Sequence, residues 1–504
     1  MISYVLPNSL TDTVLLMLGV GIGTATIGTG TAWLVTMCRF PGRSVLSWLL
    51  VMPLAVPSYI AAYCYVEILD FSGPFQTAVR ELFGFKLARD YWFPDVRSLT
   101  GASMLLSLVL YPYVYLASRL VFSMQGASML DAARSLGAGP HELFFRVAVP
   151  LARPAIAAGV ILALLETLND VGAVEALGVY TLTFAIFDTW LNKGSLPGAA
   201  QLALMVLAVV LVLIALERVA RRNRQYSGRE NARPPAPFEL KGFKAVLALI
   251  ATTTPVIAGL LGPLVYLTSA AFRRVEQIND PELISAAMNS VVIAIIAGFL
   301  TVVIAFTTLS ICRQGVPASI QTLSRFLTFG YAVPGTVLAI GVFVPMAALD
   351  NLFDGWMRSL FGISTGLLIS GGAAIIVFAC TVRFLAVPLG TIEAGFSRVS
   401  RNIDHAGRLL GTGRTASTWK LHLPIMRKAL AVAGLLVFVE SMKELSATIL
   451  LRPFNFNTLA TFVYERASLA IFEDASIAAL TIVLIGIIPV ALLTRATDQS
   501  RSNS

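Results

Sequence analysis

Four carboxylates sit where charge is expensive. Glu166 and Asp170 lie deep in an apolar run that starts near Pro154, and Glu440 and Glu444 hold the matching places in a second run. An ionised side chain inside a bilayer-length segment is costly, and it normally faces a bundle interior, a partner or a pathway. At the helical rise, Glu166 falls about three turns past Pro154 and Asp170 one turn further. Two readings stay open. The pairs could line one cavity on a pseudo-twofold axis, where hard oxygen ligands favour a cationic cargo. Alternatively they pair with neighbours such as Lys443, or cap helix ends near the outer interface.

Other chemistry is missing. The stretch nearest to a phosphate-cradling loop, Gly411 to Thr418, lacks the closing Gly-Lys-Ser/Thr. Gly19 to Gly30 is glycine-rich but lies within an apolar run, where small residues let helices approach closely. His141, His405 and His422 fall in polar loops and read as chance loop residues, so no metal ligands are assigned. Cys38, Cys64, Cys312 and Cys380 lie in or beside apolar segments and read as small core residues. No nucleophile–base constellation lies within the spans, which argues against an enzyme inside the membrane.

The elements that position these residues are helices. Hydrophobic residues make up 57% of the 504 and charged residues 13%, too few to wet the surface of a soluble chain. Apolar runs near 13–37, 45–69, 101–122, 154–176, 199–216, 245–270, 287–311, 326–348, 364–385, 429–450 and 475–494 predict about eleven crossings. The fold class is all-α and polytopic. No ten-residue alternating segments of a β-barrel occur, and Met1 to Thr13 do not read as a removable signal peptide. Lysines and arginines crowd particular loops: Arg39 and Arg43, Arg218 to Lys244, and Arg398 to Lys428. The positive-inside rule places these in the cytoplasm, which predicts an outside N-terminus and an inside C-terminus. It also accounts for the net charge of +9 without nucleic acid.

Two of the loops are copies. LDAARSLGAGPHELFFRVAVPLARPAIAAG from Leu130 aligns without a gap on the stretch that includes DHAGRLLGTGRTASTWKLHLPIMRKALAVAG from Asp404, at an offset of 274. Ala132 meets Ala406, Gly137 meets Gly411, Gly139 meets Gly413, Pro150 meets Pro424 and Glu166 meets Glu440. Six spans separate the loops, so both face one side, as in a parallel repeat. Each loop predicts a helix, a glycine break, a short amphipathic helix such as His141 to Val149, and a proline at the next span. The repeat divides the chain into 1–217, with its loop at about 123–153, a cytoplasmic linker at 218–244, and 245–504, with its loop at about 392–428.

These loops resemble the EAA loops of ABC-importer permeases with the type I, binding-protein-dependent fold. Asp131-Ala132-Ala133, Gly137 and Val147 to Pro150 follow that pattern, as do Ala406, Gly411, Leu421, Leu423 and Pro424. Asp131 stands where the family has Glu, and the matching second position is His405, with Asp404 one residue earlier. Ser47 to Tyr65, Asp90 to Arg97, Leu110 to Leu116, and the stretches from Glu166 and Lys443 resemble ferric-iron permeases of that family. Relatives usually have twelve spans, against eleven here. The resemblance implies two tandem helical bundles and coupling through Asp131, Ala132, Ala133, Gly137, Gly139, Pro150, Asp404, His405, Ala406, Gly411, Gly413 and Pro424. It further implies a separate ATP-hydrolysing ABC subunit, expected as a homodimer, and a periplasmic binding protein that delivers Fe³⁺. This chain itself would bind no cofactor and would sit in a bacterial inner membrane. The same machine could carry thiamine, a polyamine or a phosphonate. An ion-coupled secondary transporter would instead predict inverted repeats and broken helices.

Overall fold

The computed structural model describes residues 2–124, 137, 139–222, 237–314, 326–409 and 411–502. Nine helices among them are long and apolar enough to cross a bilayer, and eleven if each of two bent pairs counts as one crossing. Each expected span coincides with one of these, although several boundaries move. The expected 45–69 span is two helical segments, Arg43–Ala55 and Ser58–Phe83, meeting at 94°. The expected 364–385 span begins in a non-helical stretch, and its helices, Ala374–Phe384 and Ala386–Ser397, meet at 43°. The expected 326–348 span forms its helix late, from Gly335 to Phe361. The 429–450 span ends early, at Lys443.

Proline explains two of these shifts. The residue before proline is pushed out of the helical region by the ring. Val56 is extended (φ −91, ψ 113), Pro57 follows, and a helix restarts at Ser58. Val333 is likewise extended (φ −80, ψ 125), Pro334 follows, and a helix starts at Gly335. A short 3₁₀ turn precedes each, at Met52–Ala55 and Phe329–Ala332. The repeat therefore extends beyond the loops, here at an offset of 277 (Pro57 to Pro334).

The chain forms two compact units that cut across the sequence halves. One comprises residues 1–185, 205–275 and 472–504, the other 186–204 and 276–471. In the first, Ile2–Met37 packs along Leu99–Met124, and both pack on Val149–Asn169. The approach is close enough that a Cβ on Gly28 or Gly159 would come within 2.7 Å of Val114, so only glycine fits at these crossings. Cys38–Arg39 and Phe238–Glu239 form a two-stranded parallel pair beside the end of the first helix. In the second unit, Pro281–Arg313 packs against Leu423–Lys443 and the bent pair 374–397. Phe306, Leu385, Leu389, Ile392, Phe396 and Met426 form a core there.

Candidate functional site

In the second loop, Arg401–Leu409 is a helix, and Gly411 then takes a left-handed φ of +76. Arg414–Ser417 and a π-helical turn, Thr418–His422, lead into the Leu423–Lys443 helix. From the glycine onward the first loop repeats this geometry. Gly137 has φ +84, and the π turn is Phe144–Ala148, at the same offset of 274 (144 to 418). An L side chain resists that backbone conformation, and among the described residues nothing lies within 4 Å of where a Cβ would stand on either glycine. Conformation, not space, selects glycine here. Gly139 accepts the Leu143 N–H at 3.0 Å, and Gly413 accepts that of Ser417 at 2.9 Å. Pro150 and Pro424 both sit two residues past the π turn, at the second position of the long helix that follows it. Asp131, Ala132 and Ala133 lie outside the described residues.

The two loops expose matching apolar groups. Phe145 is 56% exposed and Trp419, its counterpart, 53%. Leu409 stands almost fully exposed at 89%, beside exposed His405 and Ala406. Apolar side chains held out on a polar loop suit the cleft of a partner. Beneath them, Leu143 is fully buried and Phe144 packs on Trp33 with ring centroids 5.2 Å apart. Asp404 faces inward instead, 12% exposed. It is held by Arg313 Nε at 2.7 Å and by His422 Nε2 at 2.7 Å. Burial alone would raise the Asp404 carboxyl, but the hydrogen bonds from His422 and Arg313, with the Arg313 charge, hold it below the usual carboxylate range.

Two of the four intramembrane carboxylates mark helix breaks. Asp170 ends the Val149–Asn169 helix and caps the next, its Oδ1 accepting the Ala173 N–H at 2.9 Å. Glu444 likewise ends the Leu423–Lys443 helix at the offset of 274 (170 to 444), its Oε1 accepting the N–H of Ala447, the residue before the next helix, at 2.8 Å. The buried guanidinium of Arg383 also donates to Glu444 Oε1, at 2.9 Å. Glu440 pairs with Lys443 at 3.0 Å, and Glu166 is part-exposed. Among the described residues, no group of three or more His, Cys, Asp or Glu side chains could hold a metal ion.

The family described as binding-protein-dependent transport system inner membrane component matches residues 19–225. Residues 19–225 belong to that family. The chain as a whole is a multi-pass inner-membrane protein with the type I permease fold. The Fe(3+)-transport system permease protein FbpB 2 of Haemophilus influenzae is 27% identical over 499 residues, spanning 96% of this permease and 89% of that protein. The molybdenum transport system permease protein ModB of Escherichia coli is 28% identical over 205 residues, 39% of this permease but 86% of its own length. The sulfate transport system permease protein CysT of Escherichia coli is 27% identical over 188 residues, 36% of this permease and 65% of that protein. A relative that is nearly complete within two-fifths of this permease fits a tandem of two such units.

Sequence reading missed three parts of the permease. Arg383 was hidden inside an apolar run, although its charge there was itself a signal. His422, read as a chance loop residue, is 1% exposed and bonded to Asp404. The exposed pair Phe145 and Trp419 was legible at the offset of 274 (145 to 419), as an aromatic kept at both positions.

Proposed function

We propose that this permease imports ferric iron handed to it by a periplasmic binding protein, driven by two copies of a separate ATPase subunit. Each copy would dock on one of the two loops, through exposed Phe145 or Trp419 and the backbone around Gly137 or Gly411. The observation that carries this reading is the duplicated loop: one left-handed glycine, one π turn and one proline at matching places. The iron cargo is supported by the similarity to an Fe(3+)-transport permease over 96% of the chain, against two-fifths or less for the molybdenum and sulfate relatives. The basic loops support a cytoplasmic position for both docking sites, with the N-terminus periplasmic and the C-terminus cytoplasmic. In this reading 1–217 and 245–504 are the two permease repeats and 218–244 is their cytoplasmic linker.

Proteoliposomes holding the permease, its ATPase and its binding protein should accumulate radiolabelled iron only while ATP is hydrolysed. Uptake that persists without hydrolysis would sink the ABC reading, and ATP-driven uptake of sulfate or molybdate in place of iron would sink the cargo. Glu166→Gln combined with Glu440→Gln is expected to lower iron uptake about tenfold, equal to roughly 1.4 kcal/mol on the barrier. The ATPase should still co-purify with that variant. Unchanged uptake would make both residues structural.

A further inference from the structure

We infer that Arg313, Asp404 and His422 form a clamp that fixes the second coupling helix to the membrane spans, which makes them positioning residues for the transfer of force from the ATPase. The inference rests on the docking role proposed above for that loop.

Arg401–Leu409 is a nine-residue helix. Isolated helices shorter than about 12 residues are marginal in water, so its rigidity must come from contacts outside itself. Arg313, the last residue of the Pro281–Arg313 span, supplies them. Its Nε donates to Asp404 Oδ2 at 2.7 Å, its Nη1 to the Phe396 carbonyl at 2.8 Å, and its Nη2 to the carbonyls of Val399 and Ser400 at 2.8 and 3.2 Å. One planar, five-donor group thereby joins the end of one span, the end of the Ala386–Ser397 helix and the coupling helix. The guanidinium also lies 5.2 Å over the Phe396 ring.

The other Asp404 oxygen engages the next element. A carboxylate only accepts, so His422 Nε2–H donates to Oδ1, and His422 closes the π turn that opens the following span. His422 stacks edge-on against Phe396 at 5.3 Å. Two further bonds close the same knot: Gln314 Nε2 to Thr418 Oγ1 at 3.1 Å, and Thr412 Oγ1 to the Gly407 carbonyl at 2.6 Å. Arg313 and Asp404 are 11% and 12% exposed, so solvent screens their attraction far less than it would a surface pair. At the offset of 274, Asp404 and His422 meet Leu130 and Ala148, so the clamp is written into the second loop and not the first.

The test uses the full complex in proteoliposomes and reads the iron carried per ATP hydrolysed. A variant that merely lowers the amount of folded permease reduces both quantities and leaves their ratio alone. Asp404→Ala and Arg313→Ala are each expected to lower the ratio about tenfold, within the usual range of coupling between sites. The double variant should be no worse than the poorer single one, because the two residues act as a unit. Arg313→Lys keeps the charge but loses the fork, and should lower the ratio by a smaller factor while inserting normally. Hydrogen exchange gives a reading free of cargo: amides of 401–409 should exchange faster in all three single variants, with those of 99–124 unchanged. An unaltered ratio in Arg313→Lys and Asp404→Ala, or additive losses in the double variant, would overturn the coupling role. Unchanged exchange across 401–409 would overturn the clamp itself, even if the parent complex carried no iron and the functional reading fell.

Discussion

Gly137→Asp together with Gly411→Asp is expected to leave the permease inserted yet to abolish the ATP hydrolysis that binding protein stimulates. Both glycines adopt φ near +80, at +84 and +76. A residue bearing a Cβ gives up roughly 1–2 kcal/mol there, so the turn would relax and swing the exposed helix that it aims. Among the described residues nothing lies within 4 Å of the new Cβ, so none of them would clash with it. That leaves backbone conformation and partner contact, and a graded series separates the two. Asn and Asp tolerate the left-handed region, whereas a β-branched residue there is a true outlier. If conformation decides, Gly411→Val should be worse than Gly411→Asn, and Asn should resemble Asp. If a partner's surface decides, Asp should fall well below Asn, since only the charge differs. Stimulated hydrolysis should drop about tenfold or more in the double Asp variant, equal to at least roughly 1.4 kcal/mol. Parent-like stimulation in that variant would end the docking role of both loops.

The loops were legible in the sequence because their signals are local. A glycine after a short helix and a proline at a span entry each state a backbone conformation by themselves, and two copies at one offset made them hard to mistake. The spans were legible for the same reason, since hydropathy needs only a window. Direction was not. The run Ser47 to Tyr65 is apolar throughout, so a window passes over Pro57, where the chain turns by 94°. Long-range pairing was not legible either. Arg313 bonds to Asp404 across 91 positions and Arg383 to Glu444 across 61, and no periodicity links such residues. The repeat itself hid part of its extent. Around the duplicated loops the offset is 274, but Leu182 N donates to Thr13 Oγ1 just as Leu459 N donates to Ser290 Oγ, an offset of 277. The shift falls between Ala173–Leu182 and Ala447–Leu459, where three more residues separate the matching pair. A gap-free comparison stops there, while the folded chain keeps the same bond on both sides of it.

Arg383→Met should be the most destabilising single change within the spans. Arg383 and Glu444 are 6% and 5% exposed at a separation of 2.9 Å. Removing one member of such a pair strands a buried charge, at a cost of roughly 3–5 kcal/mol, whereas replacing both with neutral groups of similar volume is often nearly neutral. Arg383→Met with Glu444→Gln should therefore recover most of the stability, because the Gln amide oxygen still accepts the Ala447 N–H. Thermal unfolding in detergent tests this, and a double variant no more stable than Arg383→Met alone would disprove the pairing. Gly335 belongs to the same assembly. A Cβ there would stand 2.3 Å from Arg383 Nη1 and 2.8 Å from the Ala447 backbone nitrogen, so Gly335→Ala must displace the guanidinium, and it should weaken the permease by the same route. The pairing also bears on the cargo. A carboxylate already neutralised by an arginine and occupied by a backbone N–H has little left to offer a passing cation, and Glu440 is similarly matched by Lys443. At the offset of 274, Lys443 meets Asn169, so this lysine itself is not repeated in the first half. If the four carboxylates acted equally on a cation, the double variant at 383 and 444 would transport as poorly as one lacking Glu166. If Glu444 instead pins the broken helix end, the double variant should carry iron at close to the parent rate.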